Sequence, residues 1–322
     1  MSNLKISKVA VIGAGNMGAS IAEVLAFNGF DVTLKDRNME LVNKGLAVIK
    51  TVAESQVSFQ AKRGKKEIAR IESMGVSLTD EQKSVISSKM SADFTEEDAR
   101  LLLSRVHGTD SYEPVRDVDM VIEAVFENFE VKKKVLEELS AVLSDRCIVA
   151  SNTSSLGITR MSRHYRDPSK VFVTHFFNPP YTLRLIEVVP SVLSDMTLME
   201  GLTGFLSGLK NHRGPMVPIK VKEMPGFVVN RILVPMMNEA ALILDEGGAS
   251  AKDIDQAMKL GAGMPMGPIE LSDMVGLDIV KDVMEVLYAE YANAKYAPSL
   301  LVKKLVDAGK LGKKTGSGFF DY

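Results

Sequence analysis

His175 and Glu187 stand 12 residues apart in the stretch HFFNPPYTLRLIEVV. The histidine closes one apolar run and the glutamate sits inside the next, with Asn-Pro-Pro between them. An imidazole that titrates near neutrality, oriented by a carboxylate, is a general base. The plainer reading is a strand, a turn and a strand. In that reading His175 is a satisfied core residue, and Glu187, flanked by Ile186 and Val188, faces solvent. A second candidate is GAGNMG, which places Gly13, Gly15 and Gly18 in the spacing G-x-G-x-x-G around Asn16 and Met17. A lone match of this kind is weak. Here it follows the apolar run KVAVIG and opens a helical pattern through Ile21, Ala22, Leu25 and Ala26. A second strand-like run, DVTLKD, then ends in Asp36. In that context it reads as a dinucleotide fingerprint. The first glycine permits the turn, the second lets backbone approach a pyrophosphate, and the third lets helix and strand pack. Asp36 would accept from ribose hydroxyls and repel a 2′-phosphate, which favours NAD over NADP, although Arg37 beside it pulls the other way.

Two further stretches carry polar groups. ASNTSSLGIT puts Asn152 and Ser154 just past an apolar run, and PGFVVNR puts Asn230 at the start of a helical pattern. Ser154 could instead be a helix cap, and Asn230 a helix-surface residue. The other histidines, His107, His164 and His212, lie in polar or turn-like surroundings and read as structural or exposed. Cys147 reads as a small core residue.

These groups need elements to position them. Apolar runs recur at Asp119–Val125, Cys147–Ala150, Lys170–Thr174, Leu185–Val189 and Val217–Val221, mostly separated by helical patterns. Strands alternating with helices predict a doubly wound, mostly parallel sheet. The edge beyond the carboxyl ends of its strands is then the place for ligands. Residues 38–103 are mostly polar helix pattern, too long for a simple crossover, and predict a helical arm. After EMPGF the strand signal stops, and residues 228–322 read as amphipathic helices. They break at Gly247-Gly248, at GAGMPMGP and near Pro298. The expectation is an α/β domain over 1–222 and an all-α domain over 223–322.

Composition narrows the function classes. The chain has 322 residues, 39 Lys+Arg against 41 Asp+Glu, and a net charge of −2, so no global basic field exists for nucleic acid or an anionic membrane. One cysteine excludes an intramolecular disulfide framework and points to a reducing, cytoplasmic setting. The start of the chain lacks a signal-peptide pattern, and no run approaches the ~18 apolar residues of a membrane span. No metal is expected.

The chain resembles the (S)-3-hydroxyacyl-CoA dehydrogenase family, and most of all its prokaryotic 3-hydroxybutyryl-CoA members. The matching stretches are VAVIGAGNMGASIA, VIEAVFEN, SNTSSL, HFFNPP, IEVV, PGFVVNR, MKLGAGMPMGPIELSDMVGLD and GKKTGSGFFDY, which cover nearly the whole chain in the family's order. The resemblance implies a Rossmann-type NAD-binding domain and a helical domain that usually forms a homodimer. It implies His175 and Glu187 as the catalytic pair, with Ser154 and Asn230 on the substrate. It places Glu127, Lys132 and Asn152 at the cofactor together with the glycine loop, and Lys314 from the C-terminal motif. The implied substrate is an acyl-CoA. Lys50 or the nearby Lys62–Lys66 run is a candidate for the CoA phosphates.

Three departures stand beside this resemblance. The segment about 62–90 is longer than the family's helical pair. Tyr181 and Thr182 stand where apolar residues are common. There is extra length between Glu187 and Asn230. Two other readings of the same scaffold are a dehydrogenase of a free hydroxy acid such as L-gulonate, as in lambda-crystallin-like proteins, and a binding protein that has lost catalysis. A CoA-binding arm argues for the first reading over the free acid. The intact His–Glu pair, serine and glycine loop argue against the binding protein.

Overall fold

In the computed structural model, which describes residues 4–89 and 94–322, the apolar runs and one further segment form the strands of one sheet. They are β1 (Lys8–Ile12), β2 (Asp31–Lys35), β3 (Val106–Thr109), β4 (Met120–Glu123), β5 (Ile148–Ser151), β6 (Val171–Phe176), β7 (Leu185–Pro190) and β10 (Val217–Lys220). A two-stranded ribbon, β8 (Lys210–Asn211) and β9 (Gly214–Pro215), stands apart. β4, β5 and β6 are buried at every residue. That is why they read as continuous apolar runs and not as alternating ones. The sheet order is β10-β7-β6-β5-β4-β1-β2-β3, and every pairing is parallel except β6 with β7. The order reverses between β1 and β4, the switch point of a doubly wound sheet.

The sequence reading missed β3. Of its residues only Val106 is buried, so VHGT carries no apolar run. It is held as an edge strand by parallel pairing to β2 and by Gly108, which lies so close to Val42 that a Cβ there would meet it at 2.5 Å. Helix α1 (Asn16–Phe27) follows β1 and is buried from Gly18 to Ala26. The arm is α2 (Met39–Glu72), α3 (Asp80–Lys89) and α4 (Glu96–Ser104). Asn38 caps α2 by accepting from Leu41 N, and Thr95 with Asp98 makes a reciprocal capping box on α4. α3 buries no residue, and Gly64 of α2 lets Ser87 of α3 approach closely. Helices α5 (Phe129–Val142), α6 (Ile158–Ser162) and α7 (Met196–Ser207) complete the wrapping of the sheet. Val9, Val11, Leu34, Ile122 and Phe172 lie in a core with Ile21 and Leu25 of α1 and Leu202 and Leu206 of α7.

The chain divides into two units, one of Met1–Thr153 with Ile158–Val221, the other of Ser154–Gly157 with Lys222–Tyr322. The short piece Ser154–Gly157 departs from a division by sequence alone, which would leave it in the first domain. The second unit is helical: α8 (Val229–Asp245), α9 (Ala251–Gly261), α10 (Pro268–Val275), α11 (Leu277–Tyr291) and α12 (Leu300–Asp307). Val234, Met237, Met284 and Leu287 belong to one of its core clusters. Its tail is tied down by the buried Asp273, whose carboxylate accepts from Phe319 N at 2.9 Å and Phe320 N at 2.8 Å. Among the described residues no helix is long and apolar enough to cross a membrane.

Candidate active site

The glycine loop has the shape its spacing predicts. Gly13 has φ +105° and lies against β4, where a Cβ would stand 2.5 Å from the Ala124 carbonyl oxygen. A Cβ on Gly18 would sit 1.8 Å from the Gly13 carbonyl oxygen, so the third glycine is required by the approach of α1 to the loop. Gly15 differs: none of the described residues lies within 4 Å of where its Cβ would be. It is the N-cap of α1, no side chain caps the helix, and no acidic residue stands in the first turn. Asn16 is exposed and Met17 half-buried. Open space, backbone amides and the positive end of a helix fit a pyrophosphate. Asp36, just past β2, fixes the rim by accepting from Ala14 N and Arg37 N, each at 2.7 Å. The residues present fit NAD.

Next along the carboxyl edge lies a buried ionic cluster. Glu123 ends β4 and is fully buried, and Lys132, one turn into α5, is 1% exposed. Lys132 Nζ donates to Glu123 Oε1 at 2.8 Å and to Val125 O at 3.3 Å, and pairs with Glu127 Oε2 at 3.2 Å. Burial works against its charge, but Glu123 and Glu127 outweigh it, and its pKa is raised. Thr153 Oγ1 donates to Glu127 Oε1 at 2.6 Å, and Ser151 Oγ donates to Glu123 Oε2 at 2.5 Å.

Asn152 links this cluster to the next strand. Its backbone N–H donates to Glu123 O at 2.7 Å, and its side-chain oxygen accepts from Phe176 N at 2.8 Å. Phe176 follows His175, so the glycine loop, the Glu123 cluster, Asn152 and His175 form a row along one edge of one sheet.

His175 and Glu187 are direct cross-strand partners in the antiparallel β6·β7 pair. Residues opposite one another on an antiparallel pair share a face with Cβ atoms ~5 Å apart, which turns the 12-residue spacing into contact. His175 Nδ1 lies 2.8 Å from Glu187 Oε2. Their side chains are 8% and 0% exposed, so Glu187 does not sit on a solvent face. A carboxylate only accepts, so the ring donates from Nδ1, and in the neutral ring Nε2 carries the lone pair.

Ser154 and Asn230 both belong to the second unit, Asn230 in the first turn of α8. Lys314 is there too, its ammonium on both oxygens of Asp278 at 2.6 Å. Lys50 lies on α2, exposed and 3.8 Å from Glu54. Cys147 is buried and its thiol is pushed up to about 12, first by burial and then by the charge of Asp119. Sequence reasoning passed over Glu123 and Ser151. The signal was present in MVIEA, since a glutamate ending a strand buried on both faces demands a partner. His212 is also more deeply placed than its surroundings in sequence suggested. Its Nε2 lies 2.7 Å from Glu23 Oε1 of α1, with both side chains buried and Phe27 and Phe94 against the ring.

Comparison with known proteins gives the family. The family model described as 3-hydroxyacyl-CoA dehydrogenase, NAD binding domain, matches residues 8–86 and 76–224. The model described as 3-hydroxyacyl-CoA dehydrogenase, C-terminal domain, matches 226–322. A 3-hydroxybutyryl-CoA dehydrogenase of Clostridioides difficile is 38% identical over 98% of this chain and 99% of its own. One from Bradyrhizobium diazoefficiens is 39% identical over 98% and 96%. The solved structure of (S)-3-hydroxybutyryl-CoA dehydrogenase from Ralstonia eutropha shares 36% identity, covers 99% of both chains and superposes with a TM-score of 0.83. A sheet with a dinucleotide loop, a helical second unit and near-full-length likeness in both place this chain in the 3-hydroxyacyl-CoA dehydrogenase family.

Proposed function

We propose that the protein is an NAD-dependent (S)-3-hydroxyacyl-CoA dehydrogenase that interconverts a 3-hydroxyacyl-CoA, such as 3-hydroxybutyryl-CoA, with the 3-oxoacyl-CoA. The observation that carries this reading is the His175–Glu187 pair, buried on the same sheet edge as the glycine loop. Bound NAD supplies the acceptor for the hydride that leaves C3. Gly13, Gly15, Asn16, Met17 and Gly18 hold its phosphates, Asp36 its ribose hydroxyls, and Glu127 and Asn152 lie on the same edge.

In oxidation, His175 Nε2 takes the 3-hydroxyl proton as the C3–H bond breaks. The imidazolium so formed would be costly in a buried site, and Glu187 supplies its counter-charge while fixing the ring through Nδ1. In reduction, the same nitrogen returns the proton to the alkoxide oxygen. Ser154 and Asn230 are assigned the substrate oxygens, which sets the orientation of C3. Lys314 is assigned to the cofactor and Lys50 to the CoA moiety. Apolar residues left exposed on the second unit, including Ile232, Ile279 and Leu300, support a homodimer through that unit, read out by light scattering. A single cysteine, free in the structure, supports a reducing, cytoplasmic setting.

The test is NADH consumption with acetoacetyl-CoA, beside NADPH, free acetoacetate and the His175→Asn variant. Turnover confined to NADH with the CoA ester, and a loss on the order of 10²-fold or more in His175→Asn, is the expected result. A folded, NADH-binding protein inert to acetoacetyl-CoA and longer 3-oxoacyl-CoAs overturns the reading.

A further inference from the structure

We propose that Glu123, which touches neither cofactor nor substrate, is a positioning residue that fixes the Glu127 carboxylate as a hydrogen-bond acceptor for the cofactor. This inference rests on the NAD reading above. An ammonium has three N–H donors. Those of Lys132 are shared among both oxygens of Glu123 (Oε1 at 2.8 Å, Oε2 at 3.1 Å), Val125 O (3.3 Å) and Glu127 Oε2 (3.2 Å). With its donors spent and 1% of its side chain exposed, Lys132 acts on the cofactor through what it holds.

The charge count makes the same point. One ammonium faces two carboxylates, so the cluster carries one net negative charge. Glu123 is 0% exposed and Glu127 36%, so the outer carboxylate is the one that can meet a ligand. Glu123 neutralises the ammonium from below. It also accepts from Val125 N at 2.7 Å, which shapes the turn leading to Glu127, and from Ser151 Oγ at 2.5 Å. Glu127 is then clamped from two sides, by Lys132 on Oε2 and by Thr153 Oγ1 on Oε1. Without the charge on Glu123, Glu127 is the one carboxylate left of the two that Lys132 pairs with, and the ammonium draws it inward.

The test is a double-mutant cycle on NADH affinity, read by the fluorescence of bound NADH, with thermal melting of each cofactor-free variant. Glu123→Gln is expected to weaken NADH roughly tenfold, the size of one charge-assisted hydrogen bond. Glu127→Gln should weaken it similarly, and the double variant no further, because Glu123 acts through Glu127. If Glu123→Gln does not fold, Glu123→Asp keeps the charge beside Lys132 but shortens its reach to the ammonium. It should give a smaller loss that also vanishes in the Glu127→Gln background. A folded Glu123→Gln that binds NADH as tightly as wild type overturns the inference. So does a loss that persists undiminished when Glu127 is already Gln, the mark of a purely structural role. Failure of the wild-type protein itself to bind NADH would instead sink the NAD reading.

Discussion

The His175–Glu187 pair makes a quantitative prediction for Glu187→Gln. The substitution keeps shape and a hydrogen-bond acceptor but removes the charge. The bonded atoms lie 2.8 Å apart, and two charge centres ~4 Å apart attract by about 4 kcal/mol at an effective dielectric of about 20. A neutral hydrogen bond to the amide retains about 1 kcal/mol of that. The remaining loss of about 3 kcal/mol falls on the state in which His175 is protonated. At 1.36 kcal/mol per factor of ten this is about 10²- to 10³-fold in kcat. The loss belongs to the step that moves the proton, so KM for both substrates should change little. The assay is steady-state oxidation of 3-hydroxybutyryl-CoA by NAD, with NADH fluorescence titration and a thermal melt to show an intact cofactor site. A folded Glu187→Gln that binds NADH normally and keeps more than a tenth of wild-type kcat would refute the counter-charge role.

Other outcomes follow from the same geometry. Gly15→Ala should fold with an unchanged melting temperature, because none of the described residues lies within 4 Å of the new Cβ, yet bind NADH roughly tenfold or more weakly if a pyrophosphate occupies that space. Gly18→Ala should instead lower stability, since its Cβ would fall 1.8 Å from a carbonyl oxygen; equal melting temperatures for the two variants would contradict this account of the loop. His212→Ala strands the buried carboxylate of Glu23, whose Oε2 already has no hydrogen-bond partner among the described residues, and should cost about 3–5 kcal/mol in urea denaturation. Cys147, buried and pushed up to about 12, should resist iodoacetamide at pH 8 until the protein unfolds; rapid labelling of the native protein would contradict the placement.

Much of this layout could be read from the sequence because burial leaves a compositional trace. The strands at the centre of the sheet read as continuous apolar runs since helices cover both faces. The glycine loop was legible because Gly13 and Gly18 answer to steric demands that no other residue meets. The His–Glu spacing was suggestive but ambiguous, and only the ladder pairing turned it into a contact. β3 was silent, because an edge strand with one buried residue needs no apolar run. Ser154–Gly157 was placed in the first domain by simple continuity of the chain, which carries no information about which unit a short loop packs with. The partnership of Glu23 with His212 spans most of the chain, and no local pattern encodes a contact between an early helix and a late ribbon.

The hairpin that joins β6 to β7 has one more consequence. The cofactor loop depends on parallel pairing between β1 and β4, segments far apart in the chain that close only after a long stretch has ordered. His175 and Glu187 meet within a single hairpin, through pairing that runs from Phe172↔Pro190 to Phe176↔Ile186. Their contact is therefore of low contact order and needs nothing from a bound ligand. On the proposed role of His175, the proton acceptor is built into the resting framework, and the chemical step would begin with a base whose orientation has already been settled by folding.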